Sequence, residues 1–299
     1  MSSPEPALHR SYLFAPGSDD SVMRKALVAG ADAVILDLED SVATDRKEQA
    51  RGTISDLLQD AGIASAVGAD DAPEVHLRVN RSGDGYAIDD LRLAISPLVR
   101  AVRLPKAESA EMIRSASRAL SDLERAAALD EGSIRLYPTI ESARGVMNCR
   151  EIAAADPRVA SLVFGEADLI ADIGAAGDTA LATLVPRSML VLASRAEAIG
   201  PPIDGAFTDL SDAQGLQDAA LRARSLGMFG KSAIHPRQLA TIHDAFSPSS
   251  AEIRWAEEVI AAAAEAERSG AGVTVLRGEM IDRAIVERAR GLLGLRRKR

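Results

Sequence analysis

Three apolar runs in this chain end in carboxylates. They are Ala33-Val-Ile-Leu-Asp37-Leu-Glu39-Asp40, Leu136-Tyr-Pro-Thr-Ile-Glu141 and Leu162-Val-Phe-Gly165-Glu-Ala-Asp168. A short, continuously apolar run bounded by polar residues reads as a strand buried on both faces, the kind found in parallel sheets. Such strands share a direction, so their ends fall on one rim. Arg78 closes the run from Val75, and Lys106 closes the one from Val102. The pattern predicts acids and cations gathered at the mouth of a parallel sheet, an arrangement suited to a divalent metal and an anionic substrate.

Eight strands are predicted: Tyr12–Ala15, Ala33–Leu38, Val75–Val79, Val102–Leu104, Ile134–Ile140, Ser161–Phe164, Gly205–Thr208 and Met228–Ser232. The stretches between them are long enough for a crossover helix each time. Eight βα units of this size predict a (β/α)₈ TIM barrel. An open, doubly wound sheet is the alternative, but Pro16-Gly17-Ser18-Asp19 lacks its Gly-rich phosphate fingerprint. Ala107–Ala127 and Arg187–Ile199 read as outer helices, with Gly200-Pro201-Pro202 ending the second. Ser18 or Asp19 suits the cap of the first helix, and Ala61–Pro73 reads as a mobile loop.

Residues 1–247 are assigned to the barrel and 248–299 to a helical C-terminal extension or lid. Ser249 and Glu252 have capping-box spacing ahead of a long helix. A Gly-rich break at Ser269–Gly272, a β-like Val273–Leu276 and a last helix over Asp282–Leu293 follow. Asp282, taken alone, reads as the N-cap of that helix.

The chain has 299 residues, 26% of them charged, and a net charge of −9. An acidic balance argues against general nucleic-acid binding. With no uncharged apolar run of about 18 residues, no membrane span is expected. A single cysteine, Cys149, rules out a disulfide within the chain and fits the reducing cytoplasm. Cys149 falls in a helical pattern and reads as a packed thiol. Asp172 and Asp178 read as solvated loop residues.

Glu141 and Asp168 stand one βα unit apart, at the ends of neighbouring predicted strands. Strands lie about 4.8 Å apart, so the two carboxylates can share one hard cation such as Mg²⁺. From spacing alone, ion pairs or helix caps stand equally open. Asp37, Glu39 and Asp40 need cations close by; Asp37 is given a part in catalysis, orienting a base, a water or a lysine. Arg78, inside a strand built for burial, needs an anion, whether a substrate carboxylate or oxyanion or a rim acid. Lys106 has the chemistry of a Schiff-base nucleophile only if its pKa is depressed; among so many acids it reads as a charged partner. Gly230-Lys231-Ser-Ala-Ile-His-Pro236 occupies the place where barrels commonly hold phosphate.

The ordered set Arg10-Ser-Tyr-Leu-Phe-Ala-Pro16-Gly17, Asp37-Leu-Glu39-Asp40, Arg78-Val-Asn80, Leu104-Pro-Lys106, Glu141-Ser-Ala-Arg-Gly145, Phe164-Gly165-Glu-Ala-Asp168-Leu169, Gly230 to Pro236 and Gly278-Glu-Met-Ile-Asp282 resembles the citrate lyase beta-subunit-like family, which includes malyl-CoA and citramalyl-CoA lyases. The resemblance spans nearly the whole chain. It implies a carbon–carbon lyase that cleaves or forms a β-hydroxyacyl-CoA, with Mg²⁺ on Glu141 and Asp168. It also implies Arg78 on the substrate, Arg10 and Lys231 near the CoA, and Asp282 as an acid/base lent to a neighbouring subunit. It implies assembly, usually as a trimer or a multiple of one. Where the family often reads Gly-Ala-Glu-Asp, this chain reads Gly165-Glu-Ala-Asp168, with the last acid in place. Related outcomes are a thioesterase, a citrate lyase beta subunit acting on an acyl-carrier protein, a CoA-independent hydroxy-oxoacid aldolase, and a non-catalytic binding protein.

Overall fold

The computed structural model describes residues 8–69, 72–177, 179–268 and 274–296. Two compact units emerge, one reaching Ile242 and one beginning at His243.

The first unit is built on eight parallel strands: β1 Ser11–Pro16, β2 Ala33–Asp37, β3 Glu74–Arg78, β4 Val99–Leu104, β5 Arg135–Ile140, β6 Ser161–Phe164, β7 Gly200–Ile203 and β8 Lys231–Ala233. Each pairs with the next, and β8 pairs with β1. A parallel bridge between Asp204 and Lys231 joins β7 to β8 and closes the barrel. Helices alternate with the strands, as parallel pairing requires. The strand interiors are fully buried, which explains their unbroken apolar sequence.

Three sequence expectations fail here. The seventh strand is Gly200–Ile203 rather than Gly205–Thr208. Pro201 and Pro202 argue against a strand because they donate nothing. Here Gly200 N–H donates to Ala160 O at 2.8 Å, and the proline carbonyls accept from the Ser161 hydroxyl at 2.8 Å and from Phe229 N–H at 3.0 Å. The eighth strand begins at Lys231, after Gly230 turns the chain with φ +86°. A side chain at Gly230 would put its Cβ 2.3 Å from His9 O, so the turn admits only glycine. Lastly, Ala61–Val67 is a helix rather than a loop, capped by Asp60, which accepts from Gly62 N–H and Ile63 N–H.

The barrel interior is partly polar. Tyr12, Ile35, Tyr137, Val163 and Ile203 form its apolar part. Arg103 is buried among them, its guanidinium 4.4 Å from the Tyr12 ring centroid and 4.8 Å from that of Tyr137. Aromatic faces are a favourable setting for a desolvated guanidinium. Arg103 Nε donates to His76 Nδ1 at 3.1 Å, which puts the imidazole proton on Nε2. That nitrogen faces Glu74 Oε1 at 2.7 Å.

The second unit packs the helices Ser250–Arg268 and Arg283–Arg296 around Ala256, Val259, Ile281 and Ala289. A ribbon of Thr274–Leu276 and Glu279–Ile281 joins them. The Ser249–Glu252 capping box forms, with both reciprocal bonds in place. Asp282 caps the last helix, accepting from Ile285 N–H at 2.9 Å. The expected break at Ser269–Gly272 lies outside the described residues.

Burial lowers the His76 pKa to about 4, against the pull of Glu74 and with the help of the Arg103 charge. An unfolded histidine protonates near 6.5. Between those values the unfolded chain binds a proton that the folded chain refuses, so acidification through this window costs stability. The urea midpoint of the wild type is expected to fall more steeply from pH 6.5 to pH 4 than that of His76→Gln.

Candidate active site

The C-terminal rim gathers Asp37 from β2, Arg78 from β3, Lys106 after β4, Glu141 after β5 and Asp168 after β6. The register makes Asp37 and Arg78 direct neighbours. Arg78 Nε donates to Asp37 Oδ1 at 2.6 Å and Nη2 to Oδ2 at 2.7 Å, a bidentate pair. Burial of Asp37 opposes its charge, but the Arg78 guanidinium outweighs this and holds the carboxyl below its ordinary range. Asp37 also accepts from the Glu39 and Ser41 amides.

This geometry corrects the role expected of Asp37. Its side chain is fully buried and its oxygens are all engaged. It orients Arg78, not a base, a water or a lysine. Arg78 Nη1 is left pointing to the rim, 2.8 Å from Glu39 Oε2 and 3.3 Å from Asp40. Burial raises the Glu39 pKa, and the neighbouring Asp40 adds to the effect. Lys106 Nζ meets Glu39 Oε1 at 2.5 Å. Burial works against the Lys106 charge, yet the Glu39 hydrogen bond prevails and keeps its pKa above the ordinary value. A raised pKa is the opposite of what a Schiff-base lysine needs.

Glu141 differs from these paired groups. It is buried, and its Oε1 accepts a single bond from the Lys106 amide at 2.6 Å. Its Oε2 accepts no hydrogen bond among the described residues, and neither does Asp168, which is exposed on the first turn of the helix Glu166–Ile173. Burial raises the Glu141 pKa to about 7, and the charges of Glu39 and Asp168 push the same way. A buried acid that resists ionising, with a second acid close by and oxygens to spare, is what a hard cation needs. Gly165 makes room for this. A Cβ there would lie 2.4 Å from Glu141 Cβ and 2.5 Å from Oε2.

Two residues expected at the ligand, Lys231 and Arg10, are engaged in ion pairs. Lys231 is fully buried and donates to Asp204. Asp204 also accepts from Arg187 Nε at 2.8 Å, and Arg187 Nη2 reaches Glu166 Oε2 at 2.9 Å. This chain of ion pairs ties Lys231 to the helix that carries Asp168. Arg10 precedes β1, on the rim opposite the acids. It makes a bidentate pair with Asp32, at 2.9 and 2.8 Å. Asp172 is no idle loop residue: it accepts from Ala143 N–H at 2.7 Å, at the start of the helix after Glu141. Asp178 lies outside the described residues. Cys149 is a buried free thiol, as expected.

Tyr86 escaped sequence reading. Its hydroxyl donates to Pro105 O at 3.0 Å, next to the residue that holds Glu141. No local pattern announces it, because the short Arg81–Tyr86 ribbon reaches the site only through folding.

A closed parallel barrel with free carboxylates and an oriented guanidinium at its C-terminal rim has the build of a barrel enzyme that handles an anionic substrate with a metal. The model of the HpcH/HpaI aldolase/citrate lyase family matches residues 10–236, and the chain belongs to that family. Among its relatives, the citrate lyase subunit beta of Haemophilus influenzae is 32% identical over 96% of both chains. The L-malyl-CoA/beta-methylmalyl-CoA lyase of Rhodobacter capsulatus is 33% identical, over 96% of this chain and 94% of that one. The solved structure of CitE from Mycobacterium tuberculosis in complex with magnesium, acetoacetate and coenzyme A is 30% identical. It matches with a TM-score of 0.73 over 96% of this chain and 98% of that one.

Two outcomes follow for Glu141. In EDTA, an unfolded glutamate loses its proton near pH 4.3 while folded Glu141 keeps it to about 7. Stability supplied by the protonated carboxyl is therefore lost as pH rises through that window. Glu141→Gln should gain on the wild type in urea midpoint from pH 4.5 to 7.5. Gly165→Ala should displace the carboxylate and lower kcat/KM roughly a hundredfold, with little change in fold by circular dichroism.

Proposed function

We propose that this protein is a Mg²⁺-dependent carbon–carbon lyase that cleaves, or in reverse forms, a β-hydroxyacyl-CoA such as malyl-, citramalyl- or citryl-CoA. The observation that carries the reading is the buried Glu141 with an unbonded oxygen beside the unpaired Asp168. Magnesium in the related CitE complex, and the acyl-CoA in the name of the Rhodobacter relative, support the cation and the substrate class.

Glu141 and Asp168 would hold the ion, two carboxylates being the usual protein share for Mg²⁺. When bound, the metal supplies Lewis acidity to the substrate's hydroxyl and carbonyl oxygens. Arg78, held by Asp37, stabilises the thioester oxygen as negative charge develops there, its Nη1 exchanging Glu39 or Asp40 for that oxygen. Fixing the guanidinium beforehand spares reorganisation during the reaction. Cleavage then yields an acyl-CoA enolate and a keto acid.

Asp282 is assigned the proton transfer at the enolate carbon. One of its oxygens caps a helix; the other accepts no bond among the described residues. The assignment places the second unit over the site of a neighbouring copy, in a trimer or a multiple of one. A second reading, a citrate lyase beta subunit that works on an acyl-carrier protein, is favoured by the identity to the Haemophilus subunit.

The purified protein is expected to release keto acid from one of the three thioesters with Mg²⁺ and to stop in EDTA. Free thiol alongside keto acid means thioesterase capture. No turnover of any thioester favours the carrier-protein subunit or an aldolase. Asp168→Ala should abolish Mg²⁺ binding, and Arg78→Ala should lower kcat by roughly 10²–10³.

A further inference from the structure

Four non-glycine residues have positive φ among the described residues: Lys106, Ala128, Ala198 and Arg277. Ala128 and Ala198 lie just beyond helix ends, and Arg277 turns a ribbon. Left-handed residues are ordinary there. Lys106 is different: it sits at φ +52°, where a barrel strand meets the candidate metal site.

Its surroundings explain why the strained conformation is kept. The Lys106 amide donates to Glu141 Oε1 at 2.6 Å, and the next amide, Ala107, donates to Thr139 O at 3.0 Å on the neighbouring strand. The preceding carbonyl, Pro105 O, accepts from the Tyr86 hydroxyl. Three consecutive residues are thus pinned from three directions. The left-handed turn lets one amide face the carboxylate while its successor rejoins the sheet. The lysine side chain is used separately, on Glu39 and, 3.6 Å away, Asp40.

We propose that Lys106 is a positioning residue for the cation, acting through its main chain. The strained turn aims the N–H at Glu141 Oε1, and this fixes the carboxylate with Oε2 over Gly165, free to bind metal. The inference rests on the Mg²⁺ reading above. Groups that orient a metal ligand typically change affinity by about 10–100-fold when lost. The observation behind the proposal is a backbone angle, so it separates from the charge of the ammonium.

The test is Mg²⁺ affinity measured by calorimetry on the full-length protein. Lys106→Gly keeps the left-handed turn without strain and loses the ammonium. Its Kd should stay within about threefold of wild type. Lys106→Val resists positive φ, because a β-branched side chain crowds its own backbone. Its Kd should weaken by about tenfold or more. A valine variant that binds like wild type overturns the proposal. A glycine variant as weak as valine also overturns it, since the ammonium would then be the agent.

Should valine prevent folding, Tyr86→Phe removes only the hydroxyl that pins Pro105. Weaker Mg²⁺ binding supports the brace, and unchanged binding overturns it. Glu141→Gln separates the two readings: if it binds Mg²⁺ like wild type, the metal assignment itself fails, whatever Lys106 does.

Discussion

Parallel strand pairing is the constraint on which everything else depends. Eight strands running one way must end on one rim, so acids scattered over more than a hundred residues of sequence meet there. The register then decides who meets whom. Asp37 lies directly beside Arg78, and Arg78 beside Arg103. The first pair is oppositely charged and joins. The second is alike in sign, and its members go to different aromatic faces, Arg78 to Phe14 and Arg103 to Tyr12 and Tyr137.

Charge is handled in two ways at this rim. Asp37, Arg78, Glu39 and Lys106 neutralise one another, and their hydrogen bonds recover much of what burial takes. Glu141 is left out of that settlement. Its single amide bond does not offset its burial, and its pKa climbs accordingly. A group held in that state is poised for a cation. The paired groups fix the shape of the site and the aim of Arg78, and the unpaired carboxylates are left for a cation.

A third set of charges lies deeper. Lys231, Asp204, Arg187 and Glu166 form a chain between barrel and helices that reaches the turn bearing Asp168. Residues in such a chain look like ligand-binding residues in sequence, because both need charge beside apolar runs. Lys231 shows the difficulty. Its motif matched a ligand loop, and the fold buries it against Asp204.

The barrel, six of its eight strands and the acids on its rim were legible in sequence, because parallel burial writes unbroken apolar runs that stop where the strand meets the rim. The capping roles of Ser249, Glu252 and Asp282 were legible too, since caps are local in sequence. The seventh strand was not. Its prolines hide it, and only the neighbours that donate to their carbonyls reveal it. Tertiary structure alone decided the rest. It placed Arg10 on the far rim, buried Lys231, turned Asp37 into the holder of Arg78, and brought Tyr86 against Pro105. Each of these depends on which chains lie side by side and how deeply, and no span of local sequence carries that information.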